Sequence, residues 1–324
     1  MFFPSSWPGP PPSQFNGHLQ TIIPGALRKV RGVHYTRERI FTPDQDFLDL
    51  DWLRAGHQRI VVLTHGLEGD TQRQYMLGMA KLFHQNGWDV LAWNCRSCSG
   101  EMNRAFRLYH HGDTEDITSV VEHIRSSGHY REIALIGFSM GGNINMKYLG
   151  VLGDNAPKEL IAAVSFSSPC DIADGADRID RWDNIIYKKR FLGALHQKIR
   201  AKHQLHPGKL EISRLKSIRR WREFDELFSV PICGFRNLAD FYQQASVKNY
   251  VAGIRRPTLL VNAENDPFLP PSCYPVDIAR EHDFFHLEMP KGGGHCGFRA
   301  RGDREFSWSE KRALQFCGQY SRLS

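Results

Sequence analysis

The sequence predicts an α/β fold, a mostly parallel central sheet flanked by helices, with one helical insertion near the strand ends. Three observations carry this. Short apolar runs rich in β-branched residues alternate with segments of helical periodicity. Those runs are continuously apolar rather than alternating, as strands covered on both faces must be. The stretch from Cys170 to Tyr250 holds helical patterns and no buried strand, so it stands apart from the alternation.

The elements follow in order. Arg59–Thr64 is a compact buried strand leading into His65-Gly-Leu-Glu-Gly69, and Thr71–Gln85 places Tyr75, Met76, Met79, Leu82 and Phe83 on one helical side. Trp88–Trp93 is the next strand. Asp116–Ser126 follows as a helix carrying Ile117, Val120, Val121 and Ile124. Glu132–Ile136 and Asn143–Leu152 repeat the strand–helix unit. Leu160–Ser165, Thr258–Val261 and Phe285–Met289 are further strands, and Ser307–Tyr320 is the last helix. The expected organisation is one domain over 1–324: an extension at 1–29, a core at 30–169 and 251–324, and a cap at 170–250.

Within the insertion, Ile212, Leu215, Ile218, Trp221, Phe224 and Phe228 recur at helical spacing, a stripe that packs onto a neighbour rather than holding a cofactor. Between Arg178 and Arg222 there are 14 Lys/Arg against 3 Asp/Glu, so the whole net charge of +7 resides here. An all-helical insertion between two strands is expected to cap a site at their C-terminal ends.

Composition narrows the function. With 41% hydrophobic and 24% charged residues, the chain is neither disordered, collagen-like nor a coiled coil. The Pro-rich start lacks the basic and apolar regions of a secretory signal, and no run approaches a membrane span, so a cytoplasmic protein is expected. Seven cysteines form no disulfide framework, and Cys95 and Cys98 have no second pair at zinc spacing. His282 and His286 lie four apart on a strand-like segment, a poor metal pair. There is no HExxH, P-loop or GxGxxG, so neither a metal nor a cofactor is expected.

Gly137-Phe-Ser-Met-Gly141 is the strongest local signal. The G-x-S-x-G pattern arises by chance about 0.1 times in such a chain, but here it joins a strand to a helix, the setting it requires. Such a turn lifts the Ser139 hydroxyl above the sheet and brings the Met140 N–H to a helix N-terminus, aimed at developing negative charge. A serine needs an oriented base. In the order Ser, acid, His, the acid is Asp266, preferred to Glu264 because Pro267 keeps its loop from turning helical. The base is His295, in the glycine-rich Gly292–Gly297 loop. The amide of Leu67 is the expected second oxyanion donor, with His65 structural.

Taken together these residues resemble the α/β-hydrolase superfamily and, within it, the bacterial YheT-like hydrolases related to eukaryotic lipid-acting ABHD-type esterases. The resemblance rests on Gly17-His-Leu-Gln-Thr-Ile-Ile-Pro24, Thr64–Gly69, Asn94–Glu101 and Tyr109–Asp113, and more specifically on Gly137–Asn143, Leu215–Asp225, Asn265–Phe268 and Gly293–Phe298. It covers nearly the whole chain and places Ser139, Asp266 and His295 on the triad positions. Ser97 departs from it, standing where many relatives have glycine. The resemblance implies a carboxylesterase for short- or medium-chain acyl or lipid-like esters, with a small-molecule ester as partner. Two other expectations remain: acyl transfer to an alcohol through the same acyl-enzyme, and binding of anionic membranes through the basic cap. No nucleic-acid motif accompanies the charge, so no nucleic-acid partner is expected.

Overall fold

The computed structural model describes residues 2–323. Among these, nine strands form one sheet: β1 (Phe2–Phe3), β2 (Thr36–Phe41), β3 (Phe47–Leu53), β4 (Arg59–Thr64), β5 (Asp89–Trp93), β6 (Glu132–Phe138), β7 (Leu160–Phe166), β8 (Thr258–Val261) and β9 (Phe285–Glu288). Their order is β1-β9-β8-β7-β6-β4-β5-β3-β2, with β2–β3 and β3–β5 antiparallel and the rest parallel. The helices are α1 (Gly17–Leu27), α2 (Gln74–Gln85), α3 (Thr114–Ser126), α4 (Met140–Leu152), α5 (Ile172–Ile179), α6 (Ile185–Leu205), α7 (Trp221–Phe224), α8 (Val230–Cys233), α9 (Leu238–Ala245), α10 (Val276–Glu281) and α11 (Trp308–Tyr320).

Both sheet faces are covered, as the continuous apolar runs require. On one face Ile117, Val120, Ile144 and Met146 from α3 and α4 join Val62, Leu91 and Leu135. On the other, Met76, Met79, Phe83 and Phe316 from α2 and α11 meet Val61, Ile136 and Val164. The register pairs Thr64 with Gly137, Phe138 with Phe166, Phe166 with Val261 and Val261 with Glu288. The loops leaving β4, β6, β7, β8 and β9 therefore emerge side by side at one end of the sheet.

Four features differ from the sequence expectation. β1 extends the sheet beyond β9 from within the Pro-rich start, and α1 follows it. β2 and β3 add an antiparallel edge whose charges are matched: Arg37 pairs with Asp51 and Arg39 with Asp49, at 2.8 and 2.7 Å. α4 begins at Met140, immediately after the serine, rather than at Asn143. The apolar stripe in the insertion is not one helix. Residues 206–220 run as turns, and a helical segment begins only at Trp221, with a π-turn over Asp225–Ser229. Leu215, Ile218, Trp221, Phe224 and Phe228 are nonetheless all buried, in a cluster shared with Leu195 and Ile199 of α6.

The helical segment between β7 and β8 thus has a small core of its own. Many of its cations are paired, including Arg178 with Asp183, Lys188 with Asp180 and Arg222 with Asp177. Lys202 is fully buried, its ammonium donating to the carbonyls of Asn103 and Ala105. The +11 balance is therefore not a uniform basic face.

Ser97 occupies the left-handed region at φ 61°, a conformation glycine adopts without strain. Its cost is offset locally: its N–H donates to Asn103 Oδ1, and its hydroxyl accepts from the Asn103 N–H.

Candidate active site

β6 ends at Phe138 and α4 starts at Met140, so Ser139 makes the turn alone, at φ 53° and ψ −120°. That backbone is strained for any residue with a Cβ. The flanking glycines are sterically required. A Cβ at Gly137 would lie 2.4 Å from the Gly141 carbonyl oxygen, and one at Gly141 would lie 2.3 Å from that of Thr64. As the first residue of α4, Met140 presents an N–H that lacks an intrahelical acceptor. Across the turn, a Cβ at Gly66 would come 3.2 Å from the Ser139 Cβ, so the loop carrying Leu67 touches the serine.

The serine hydroxyl lies 2.9 Å from His295 Nε2, and His295 Nδ1 lies 2.9 and 3.1 Å from the two Asp266 oxygens. Asp266 is buried and also accepts the Phe268 N–H at 2.9 Å, whereas Glu264 is exposed and stands apart. Burial would depress the His295 pKa, but the Asp266 carboxylate overrides it and raises the imidazole above its ordinary value. With Nδ1–H donating to Asp266, the neutral ring turns its lone pair toward Ser139. The Phe268 ring, 4.2 Å away, packs against the imidazole.

His65 is structural, as expected. Its Nδ1–H donates to the Gly66 carbonyl at 2.7 Å and its Nε2 accepts the Cys95 N–H at 3.0 Å. Burial holds its pKa down at about 4, so it stays neutral and shapes the Gly66–Leu67 turn. Glu68, next in chain and left-handed at φ 53°, is gripped from outside. Tyr109 donates to its carboxylate and accepts its N–H, and Lys198 of α6 lies 2.9 Å from the same carboxylate. The insertion therefore braces the loop that carries Leu67.

Sequence reasoning missed the residues that hold the Asp266 and His295 loops. They come from α1. Thr21 Oγ1 accepts the His295 N–H at 2.9 Å, while Gln20 Oε1 accepts the Gly293 N–H at 2.6 Å and the Asn265 side-chain amide at 3.1 Å. Contact is close enough that a Cβ on Gly17 would lie 2.0 Å from the Asn265 carbonyl oxygen. Ser167, after β7, accepts the Cys296 N–H at 2.8 Å. The only sequence signal was that Gly17–Pro24 took part in the family resemblance.

Two cavities meet at Ser139, His295, Leu67, Phe191 and Phe268. One, of about 70 Å³, runs under the insertion among Ile172, Ala176, Ile179 and Trp221 and is almost wholly apolar. The other is a groove of about 300 Å³ between α1 and α6, with Glu68, Arg73 and Arg190 along it.

The site and the fold define a class, and comparison with known proteins agrees with it. A family model described as serine aminopeptidase, S33, matches residues 55–279. The chain is 33% identical over 291 residues to "Putative esterase YheT" of Escherichia coli (strain K12), covering 87% of this chain and 84% of that one. It is 28% identical over 289 residues to "Phospholipase ABHD3" of Mus musculus, covering 86% and 70%. It is 26% identical over 303 residues to "Medium-chain fatty acid ethyl ester synthase/esterase 2" of Saccharomyces cerevisiae, covering 85% and 65%. Among solved structures, the Pyrococcus furiosus esterase Pf2001 aligns with a TM-score of 0.59 and 17% identity over 90% of this chain and 98% of that one, a likeness of fold. The chain belongs to this α/β-hydrolase family and is an enzyme of its esterase-type branch.

Proposed function

We propose that the protein is a serine carboxylesterase acting on short-chain acyl esters through an acyl-enzyme. The observation that carries this reading is the continuous Ser139–His295–Asp266 chain of 2.9 Å contacts, set on the strained turn and open to the apolar cavity. His295 takes the Ser139 proton as the oxygen attacks the acyl carbonyl. Asp266 fixes the ring and stabilises the imidazolium. The amides of Leu67 and Met140 hold the oxyanion. Nε2–H then protonates the leaving alcohol, and a water deprotonated by His295 releases the acid and restores the serine.

The apolar cavity under the insertion, read here as a cap over 170–250, is assigned to the acyl chain. A dry apolar cavity of ~150 Å³ accommodates benzene, so about 70 Å³ takes roughly three carbons beyond the carbonyl. The polar groove is assigned to the alcohol. That groove also gives weight to a second reading, transfer of the acyl group to an alcohol seated there, which the ratio of ethyl ester to acid formed in added ethanol measures.

The test is hydrolysis of p-nitrophenyl esters from acetate to palmitate beside Ser139→Ala. A rate peaking at short chains and a loss on the order of 10⁴–10⁶ in kcat in the variant are expected. Residual activity within about tenfold of the parent enzyme would sink the assignment of the nucleophile.

A further inference from the structure

Among the described residues ten large hydrophobic side chains are exposed, and six lie on two short segments. Phe15, Ile22 and Leu27 belong to α1 and its approach, and Trp182, Ile185 and Ile186 to the 3-10 turn before α6 and the start of that helix. The exposures are large: 77% at Phe15, 71% at Leu27 and Ile186, and 83% at Trp182. Single exposed apolar residues need no explanation, but a cluster does.

These two segments are the walls of the groove that reaches Ser139. Ile22, Gly25 and Ala26 line one side, and Tyr187 and Arg190 the other. They meet where His18 stacks on Tyr187, with ring centroids 5.8 Å apart and Nδ1 3.3 Å from the hydroxyl. Of the exposed apolar side chains Ile22 lines the groove itself, and the others lie along the two segments that border it.

Cations flank them on both sides. Lys189 and Arg190 are exposed beside the start of α6, as is Arg181, which lies 3.7 Å from Asp183. Directly beyond the end of α1, Lys29 and Arg31 join Lys81, Arg299 and Arg304 around a hollow of about 400 Å³. Glu305 pairs with Lys81 at 2.6 Å, and Arg28 is paired with Glu310, which leaves the hollow with an excess of positive charge. The buried stripe of the insertion contributes nothing to this surface.

We propose that α1 and the first turn of α6 dock the enzyme on an anionic phospholipid bilayer. The apolar side chains enter the interface, and the flanking cations meet headgroup phosphates. Tryptophan and aliphatic residues beside Lys and Arg make up a membrane-interface anchor. A bilayer also suits the position, because it leaves room for a small ester to enter a groove mouth that a bound protein would plug. This last point rests on the esterase reading; the docking itself does not.

The test is flotation with vesicles of phosphatidylcholine alone or with 30% phosphatidylglycerol, using the Ser139→Ala chain so that no lipid is consumed. Binding to the anionic vesicles is expected, with little to the neutral ones. Each Lys or Arg near such a surface is worth about fivefold in affinity, so Lys29→Ala with Arg31→Ala is expected to weaken binding by roughly 25-fold. Trp182→Ser with Ile186→Ser is expected to weaken it at least tenfold. Built into the parent enzyme, both double variants should retain hydrolysis of p-nitrophenyl acetate, which shows that they fold. Equal binding to both vesicle types, no binding to either, or binding unaffected by both double variants overturns the proposal. Docking as expected in a parent enzyme inactive on every p-nitrophenyl ester, free or carried in the anionic vesicles, overturns the esterase reading and leaves the docking standing.

Discussion

Trp221 is the residue whose replacement most directly tests how substrate is selected. It lines the apolar arm of the site, is 6% exposed, and meets the Phe191 ring edge-on at 6.2 Å and 90°. Its backbone N–H is held by Asp180 at 2.9 Å, so the backbone stays anchored when the ring is removed. Truncating a buried leucine opens about 150 Å³, and Trp221→Ala adds at least as much to an arm of about 70 Å³. The enlarged arm takes roughly six more carbons at ~25 Å³ each. Each methylene moved out of water contributes ~0.8 kcal/mol, about fourfold in kcat/KM. An octanoyl chain carries four methylenes more than a butyryl chain, which sets a ceiling of ~3 kcal/mol, or about 200-fold, on the change in their ratio. The fold bears a cost of ~3–5 kcal/mol for losing a large aromatic side chain, so Tm should fall. The assay is kcat/KM for p-nitrophenyl butyrate and octanoate in both proteins, with active serines counted by a fluorophosphonate probe. A ratio shifted toward octanoate by tenfold or more is expected. If it stays within twofold while the probe still labels the variant, the acyl chain does not occupy this arm.

Two further outcomes follow from the loops around the serine. Because Asp266 raises the His295 pKa and the protonated imidazole cannot act as base, activity should be lost as pH falls through a value above the ordinary 6.5, higher than the sequence alone implied. Asp266→Asn should move that acid limb downward and cost on the order of 10⁴ in kcat; a pH–rate profile of the parent enzyme with its acid limb below 6.5 would contradict the pairing. Thr21→Val removes the acceptor of the His295 N–H, and kcat should drop by ~10–100-fold with little change in KM, while Thr21→Ser restores it. Equal kcat in the valine and serine variants would show that the hydroxyl does not position the loop.

The parts of the molecule legible in the sequence were those whose signal is local. The strand–turn–helix at Gly137–Gly141 announces itself because only glycine fits at both ends of the turn, and β4 to β9 read as strands because burial on both faces demands unbroken apolar runs. β3 was not legible, since Asp49 and Asp51 interrupt its apolar side chains. Those carboxylates, buried at 2% exposure, are met by Arg39 and Arg37 of β2 and by the hydroxyls of Ser99 and Thr71, partnerships invisible until the chain folds. The spacing of Ile212, Leu215 and Ile218 misled for the opposite reason. Period-three burial is also produced by successive turns wrapping a core, and Pro207-Gly208 prevents α6 from continuing into them. α1 carries Pro24 within it and turns polar Gln20 and Thr21 toward loops nearly 250 residues or more away, so its function lies in contacts rather than in a pattern.

Those contacts explain why the site needs an element from outside the strand–helix alternation. Of seven non-glycine residues with positive φ among those described, Glu68, Ser139, Ser167, Cys296 and Phe298 stand in the loops at the sheet end that carries the serine and histidine. Such backbone costs ~1–3 kcal/mol per residue and persists only where its surroundings over-determine it. The sheet register fixes Ser139, whose N–H is held by the Phe166 carbonyl at 2.8 Å. The insertion fixes Glu68 through Lys198. The histidine loop has neither support; it leaves the sheet after β9 and turns back through Gly293, Gly294 and Cys296. Gln20 and Thr21 take up its amides from one side and Ser167 from the other, so residues the sequence marked as an extension supply what the parallel sheet cannot. The same helix then continues outward to Ile22 and Leu27, which joins the orientation of His295 to the surface at the groove mouth in a single rigid element.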